Sequence, residues 1–226
     1  MIARLSPIVL LLSPAALAAE EADRPEAAGD LPMVYESRFN EEGLAGWIFT
    51  DPDAWRIGTF EGEAVLEQHS RSDYEPKVRS PYNIALLGDV DVSDFVLDLR
   101  VRSTGRDYGH RDLCLFFGHQ DPSHFYYVHL GKEADPHAHS IFLVDDEPRV
   151  SIAKERTDGT PWTDDWHHVR IVREVEPGTI AVYFDDMERP IMTTTDTTFS
   201  HGRVGVGSFD DTGQFDDIRL WGRAAE

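Results

Sequence analysis

Residues 108–145, YGHRDLCLFFGHQDPSHFYYVHLGKEADPHAHSIFLVD, decide how the rest of the chain is read. The stretch carries six of the ten histidines, four of the twelve phenylalanines and the sole cysteine, Cys114. Two apolar runs flank the turn Gln120-Asp121-Pro122-Ser123, and a third follows a His-rich loop. Read as strands, their side chains alternate between faces. Leu113, Leu115 and Phe117 then share one face, and His110, Asp112, Cys114 and Phe116 share the other. In the second run Tyr126, Val128 and Leu130 oppose Phe125, Tyr127 and His129; in the third, Ile141 and Leu143 oppose Phe142 and Val144. One face of each strand is apolar and belongs against a second sheet. The other mixes rings, imidazoles and a carboxylate, and is expected to floor a groove. A one-residue bulge would exchange the two faces.

Working outward, residues 94–103, DFVLDLRVRS, alternate cleanly, with Phe95, Leu97, Leu99 and Val101 inward and Asp98, Arg100 and Arg102 outward. Residues 55–59 and 63–68 form a hairpin across Phe60-Glu61-Gly62. Residues 34–39, 149–153, 166–174, 179–184, 187–193, 199–207 and 215–221 supply further short strands. Residues 71–82 are polar and Pro-marked and read as a long loop at the groove's rim. No amphipathic helix and no internal repeat stands out. Short strands between Gly, Asp and Pro turns predict an all-β protein, a two-sheet antiparallel β-sandwich.

Residues 1–18 read as a signal peptide: Arg4 gives the positive start, residues 8–12 the apolar stretch and Ala16-Leu17-Ala18 the cleavage site. That stretch is too short to span a membrane. A periplasmic or secreted protein is expected, with no membrane insertion after leader removal. Residues 19–32 read as an acidic Pro/Ala-rich linker and residues 33–226 as one domain. A single cysteine allows no internal disulfide, and Cys114 reads as a small packed strand residue rather than a nucleophile. The formal net charge of −21 argues against nucleic acid as a partner.

The closing segment GRVGVGSFDDTGQFDDIRLWG (residues 202–222), with DFVLDLRVRS and WHHVRIVREVEPGTIAVYFDD (residues 166–186), resembles the concanavalin A-like jelly-roll superfamily. The flavour is that of laminin-G-like and 3-keto-disaccharide hydrolase-like domains, and the likeness covers residues 33–222. It implies a polysaccharide or oligosaccharide partner and no organic cofactor. No Glu-x-Asp-x-x-Glu run supplies the paired carboxylates of retaining hydrolases. The His/Tyr face instead resembles the sites of jelly-roll polysaccharide lyases, which act on uronic-acid glycans by β-elimination. That likeness makes His129 the base, Tyr127 the general acid and His110 a further catalytic group, with Arg100 or Arg102 clamping the sugar carboxylate. Asp112, Phe125 and His139 complete the expected substrate surface. The alternatives are a non-catalytic carbohydrate-binding module and a glycoside hydrolase acting on a keto-disaccharide or related sugar.

Two metal readings accompany this. In the resembled superfamily a structural calcium often ties the first and last strands together, and Glu36 and Asp217 are the side chains it would use here. Separately, His137 and His139 are spaced as a pair of zinc ligands that needs partners from elsewhere.

Overall fold

Period-two alternation becomes fifteen strands in the computed structural model, which describes residues 24–40 and 43–225. The expected leader, residues 1–18, lies outside the described residues. The strands are β1 (Met33–Ser37), β2 (Trp47–Phe49), β3 (Trp55–Phe60), β4 (Glu63–Gln68) and β5 (Asn83–Ser103). Next come β6 (Cys114–Asp121), β7 (His124–His129), β8 (Ser140–Asp145), β9 (Val150–Ser151) and β10 (Glu155–Arg156). The last are β11 (His167–Glu174), β12 (Thr179–Phe184), β13 (Met192–Thr195), β14 (Gly202–Ser208) and β15 (Gly213–Ala224). Every pairing is antiparallel. Among the described residues no helix is long and apolar enough to cross a membrane.

Strand β5 joins the two layers. Its first half pairs with β14 and β2, starting the layer β5–β14–β6–β7–β8–β9. Its second half pairs with β11 and β15 in the other layer, where β11 leads on to β12, β13 and β10. Residues 83–93 extend the predicted 94–103 strand backwards to 21 residues. The glycines of β14 permit a close approach to β5: a Cβ on Gly205 or Gly207 would fall 2.2 or 1.9 Å from the carbonyl oxygens of Ala85 and Asn83.

The main core lies between the layers. Leu97, Leu99 and Val101 of β5 meet Leu115, Phe117, Tyr126, Val128 and Ile141, all from the positions expected to face inward. The opposite faces of β6, β7 and β8 are also buried. Cys114, Phe116, Phe125, Tyr127, Phe142 and Val144 join Ile84, Leu86 and Phe209 in a second apolar cluster, covered by Val78 and Tyr82. The expected open groove is therefore filled over most of its length, and the 71–82 loop lies across it rather than along a rim. A smaller cluster sits on the other layer's outer side. There Ala28, in the 3-10 turn Glu26–Ala28, packs with Val96 and Trp221. The described part of the expected linker thus docks on the domain.

Phe117 is 1% exposed and stacks on Tyr126 at 5.2 Å, whereas Ile48 is 49% exposed. Phe117→Ala is expected to cost about 3–5 kcal/mol, and Ile48→Ala to stay within about 0.5 kcal/mol of the parent. Urea unfolding of the two variants measures the contrast; equal losses would place the core elsewhere.

Candidate functional site

Where the second apolar cluster ends, the chain leaves a cavity of about 300 Å³. Asp112 enters just ahead of β6, and His129 closes β7 directly opposite Cys114 in the ladder. Tyr108 and His110 come from the loop before β6, His137 from the loop before β8, and Arg149 from the turn between β8 and β9. Phe209 and Asp210 arrive from the turn after β14, and Arg79 from the covering loop.

Asp112 is 1% exposed; its Oδ2 accepts from the Phe209 amide at 2.8 Å and from the Cys114 thiol at 3.4 Å. His129 is buried, with Nδ1 3.0 Å from the His137 carbonyl and Nε2 3.2 Å from Asp112 Oδ2. Neither His129 Nε2 nor Asp112 Oδ1 has a hydrogen-bond partner among the described residues, although both atoms are buried. Burial, then the neighbouring Asp112, pushes the Cys114 thiol well above its ordinary range. Burial and Asp112 likewise push Asp211 up to about 6, against hydrogen bonds from the Asp112 amide and the Tyr108 hydroxyl. Among the described residues, Asp112, Cys114 and His129 are the one set of three His, Cys or carboxylate groups whose ligand atoms all lie within 4.8 Å of one another.

His129, His110 and Asp112 of the expected site do meet at this cavity, with His110 exposed and 3.3 Å from Asp135. Tyr127 does not line it. Its ring is fully buried against Phe142 at 5.1 Å, and its hydroxyl accepts from Arg149 at 3.1 Å. Burial drives that phenol well above its normal range, so it is a poor proton donor to a substrate. Phe125 is fully buried within the ring layer. His139 is also fully buried, bound to Thr160 at 3.0 Å and Thr157 at 2.9 Å, so both ring nitrogens are taken and it forms no ligand pair with His137.

Arg100 and Arg102 lie away from the cavity because the half of β5 that holds them belongs to the other layer. Arg100 pairs with Asp216 at 2.7 Å and Asp217 at 2.6 Å; Arg102 donates to the Asp164 carbonyl at 2.7 Å and to Gln214 at 3.0 Å. The carboxylate-clamp assignment is corrected accordingly. Asp217 also meets Arg38 at 3.3 Å, and Glu36 pairs with Arg219 at 3.1 Å, so arginines already neutralise both expected calcium ligands. His119, at the end of the first run, is buried and stacks on Phe125 at 5.2 Å.

The structure adds cations that the strand pattern did not reveal. Arg149 lies 4.2 Å over the Phe209 ring and donates to the His137 carbonyl at 2.9 Å; Arg79 approaches the same ring at 5.7 Å. Arg79 has no carboxylate partner among the described residues, although the chain is strongly acidic. The available signal was local: Arg149 opens the return strand beside β8, and Phe209 stands immediately before the acidic turn.

No family model and no curated protein matches the chain. Solved structures do. The carbohydrate-binding module CBM66 from Bacillus subtilis superposes with a TM-score of 0.58 at 20% identity, covering 78% of this chain and 95% of that one. The fold is a concanavalin A-like jelly roll. Two further jelly rolls support this. Domain 4 of AbnA, an extracellular GH43 arabinanase from Geobacillus stearothermophilus determined with arabinotriose, gives 0.55 at 14% identity, with 87% and 95% covered. Lectin I-B4 of Griffonia simplicifolia in its metal-free form gives 0.54 at 13% identity, with 82% and 97% covered. At these identities the likeness fixes the jelly roll and leaves the chemistry to the site.

Burial holds His119 and His139 of this jelly roll down to about 4, against an ordinary value near ~6.5. Above that ordinary value both folded and unfolded chains are neutral at these rings. As pH falls from there toward the folded values, only the unfolded chain gains the protons, so these two histidines remove stability. Asp211, raised in the folded state, acts in the opposite sense as pH falls through about 6. Ring chemical shifts separate the contributions. At about pH 5 His119 and His139 should still be neutral, while His124, raised by its bond to Asp121, should be charged. Titration of His119 and His139 near the ordinary value would contradict their burial.

Proposed function

We propose that the protein is a carbohydrate-binding module whose cavity takes the end of a glycan chain, with a preference for an acidic sugar. The observation carrying this reading is Arg79, a guanidinium at the cavity mouth with no carboxylate partner among the described residues, set beside Arg149 over the same Phe209 ring. Two such groups suit a sugar carboxylate, which accepts paired N–H bonds. Asp210, His110 and His137 around them offer acceptors and donors for hydroxyls. A volume of about 300 Å³ lies at the small end of ligand sites, which favours a chain terminus over a bound run of sugar units. The filled groove supports the same choice, since Phe116, Phe125, Tyr127 and Phe142 leave no open floor for a polymer.

The CBM66 module, the arabinanase domain and the lectin lend the reading fold-level support, because each carries a sugar-related function on a similar scaffold. The lyase reading loses its proposed acid, Tyr127, to the buried layer and its clamp, Arg100 or Arg102, to the other part of the sheet. His129 remains at the cavity, so β-elimination is the outcome to be tested against binding.

Calorimetric titration with short uronic-acid and neutral oligosaccharides decides between them. Binding of an acidic oligosaccharide should weaken at least ~10-fold in Arg79→Gln and fall with added salt, while the melting temperature holds. Acidic-sugar affinity unchanged in that variant would sink the proposed site. Unsaturated-product absorbance appearing in the wild type and lost in His129→Ala would replace the binding module with a lyase.

A further inference from the structure

Two buried polar atoms at the cavity floor, His129 Nε2 and Asp112 Oδ1, have no hydrogen-bond partner among the described residues, and sugar binding does not explain them. The carbonyl of His137 can only accept, so its 3.0 Å contact places the hydrogen of a neutral His129 ring on Nδ1. The lone pair of Nε2 then points into a buried space, 3.2 Å from Asp112 Oδ2, without a hydrogen-bond partner. Asp112 Oδ1 is equally unpartnered, and the Cys114 sulfur completes a triangle whose ligand atoms lie within 4.8 Å of one another. The Cys114 thiol supplies a proton to Asp112 Oδ2, but an Nε2 lone pair facing that carboxylate with no proton between them, and a bare Oδ1, are costly when buried. A second proton on His129 would relieve one contact but leave Asp112 Oδ1 without a partner. A cation between the three groups relieves them all.

We propose that Asp112, Cys114 and His129 form a binding site for a divalent transition metal ion of the zinc class, with its fourth coordination position open to the cavity. The donor set selects the metal. A thiolate and an imidazole suit zinc or cobalt, whereas calcium and magnesium call for oxygen ligands. Charge balances too: carboxylate and thiolate together cancel a dication, which a buried site requires. As the metal–sulfur bond forms, the Cys114 thiol releases its proton to solvent, and no redox change occurs.

Strand geometry builds the triangle. Asp112 and Cys114 are two residues apart and share a face, while Cys114 and His129 are cross-strand partners in β6 and β7. Outer contacts hold the ligands in place, the Phe209 amide on Asp112 Oδ2 and the His137 carbonyl on His129 Nδ1. Three protein ligands with a fourth place free is the pattern of a site that accepts an outside oxygen. The proposal does not depend on the sugar reading, because the metal is detected without a sugar.

Cobalt(II) is the probe. Full-length protein, stripped with chelator and kept reduced by a phosphine, should take up one equivalent of cobalt. A thiolate-to-cobalt charge-transfer band should accompany uptake and bleach when zinc displaces the cobalt. Because Cys114 is the sole cysteine, any such band reports that residue even if Cys114→Ser fails to fold. His129→Gln and Asp112→Asn should each weaken uptake at least ~10-fold, whereas His139→Gln should keep the band. A folded, reduced wild type that gives no thiolate band overturns the proposal. So does uptake unchanged in both His129→Gln and Asp112→Asn.

Discussion

Burial of both faces of β6, β7 and β8 is the constraint on which the rest of the molecule depends. A sheet of a two-layer sandwich ordinarily has one face in the core and one toward solvent. Here every second side chain enters the inter-layer core, and the intervening ones enter a ring cluster beneath Tyr82 and Phe209. Polar side chains cannot remain in the middle of such strands without losing water, and they collect at the ends. Those that go under cover are mostly paired. Asn83 accepts from the Ser72 amide at 2.7 Å and donates to Ser208 at 2.9 Å, and Arg111 reaches the Ser103 and Thr163 carbonyls at 2.8 and 2.9 Å. Of the buried atoms left bare, His129 Nε2 and Asp112 Oδ1 belong to side chains that approach to 3.2 Å at the cavity floor, a place built for something from outside.

Sequence alone made the alternation legible, because it is local. Leu115 and Phe117 face one cluster and Cys114 and Phe116 the other, as period two requires, and the hairpin of β3 and β4 follows its turn residues. The closing of the groove was not legible. Phe125 and Tyr127 read as a ring-lined floor because nothing in their own run says that Val78, Tyr82 and Phe209 return to cover them. Residues 83–93 hid a strand for a related reason: the run Gly88-Asp89-Val90-Asp91 breaks the apolar pattern, while pairing with β14 holds the backbone extended through Val92.

The arginines show the same limit in electrostatic form. Arg100 and Arg102 were visible beside a strong strand, but that half of β5 turns them toward Asp216, Asp217 and Gln214. Arg79 and Arg149 sit in segments without periodicity, and chain reversals deliver them to the cavity. A net charge of −21 describes the distant field, which would slow the approach of any anion. At contact distance the local groups decide, because salt screens charges beyond about 8–10 Å. An acidic chain can therefore place two guanidinium groups at one cavity.

The closed groove and the open cavity then have one cause. Aromatic rings fill the strand face until the ladder reaches Cys114 and His129, where the next side chains are an acid, a thiol and an imidazole. Shape complementarity to a polymer is lost along the rings, and what remains for recognition is the end of the ladder. There the backbone fixes ligand spacing to within the tolerance of a strand, and the loops bearing Arg79, Tyr108 and His137 supply what can vary. A rigid floor with an adaptable rim lets a jelly roll change its ligand by loop substitution while the layers beneath stay packed.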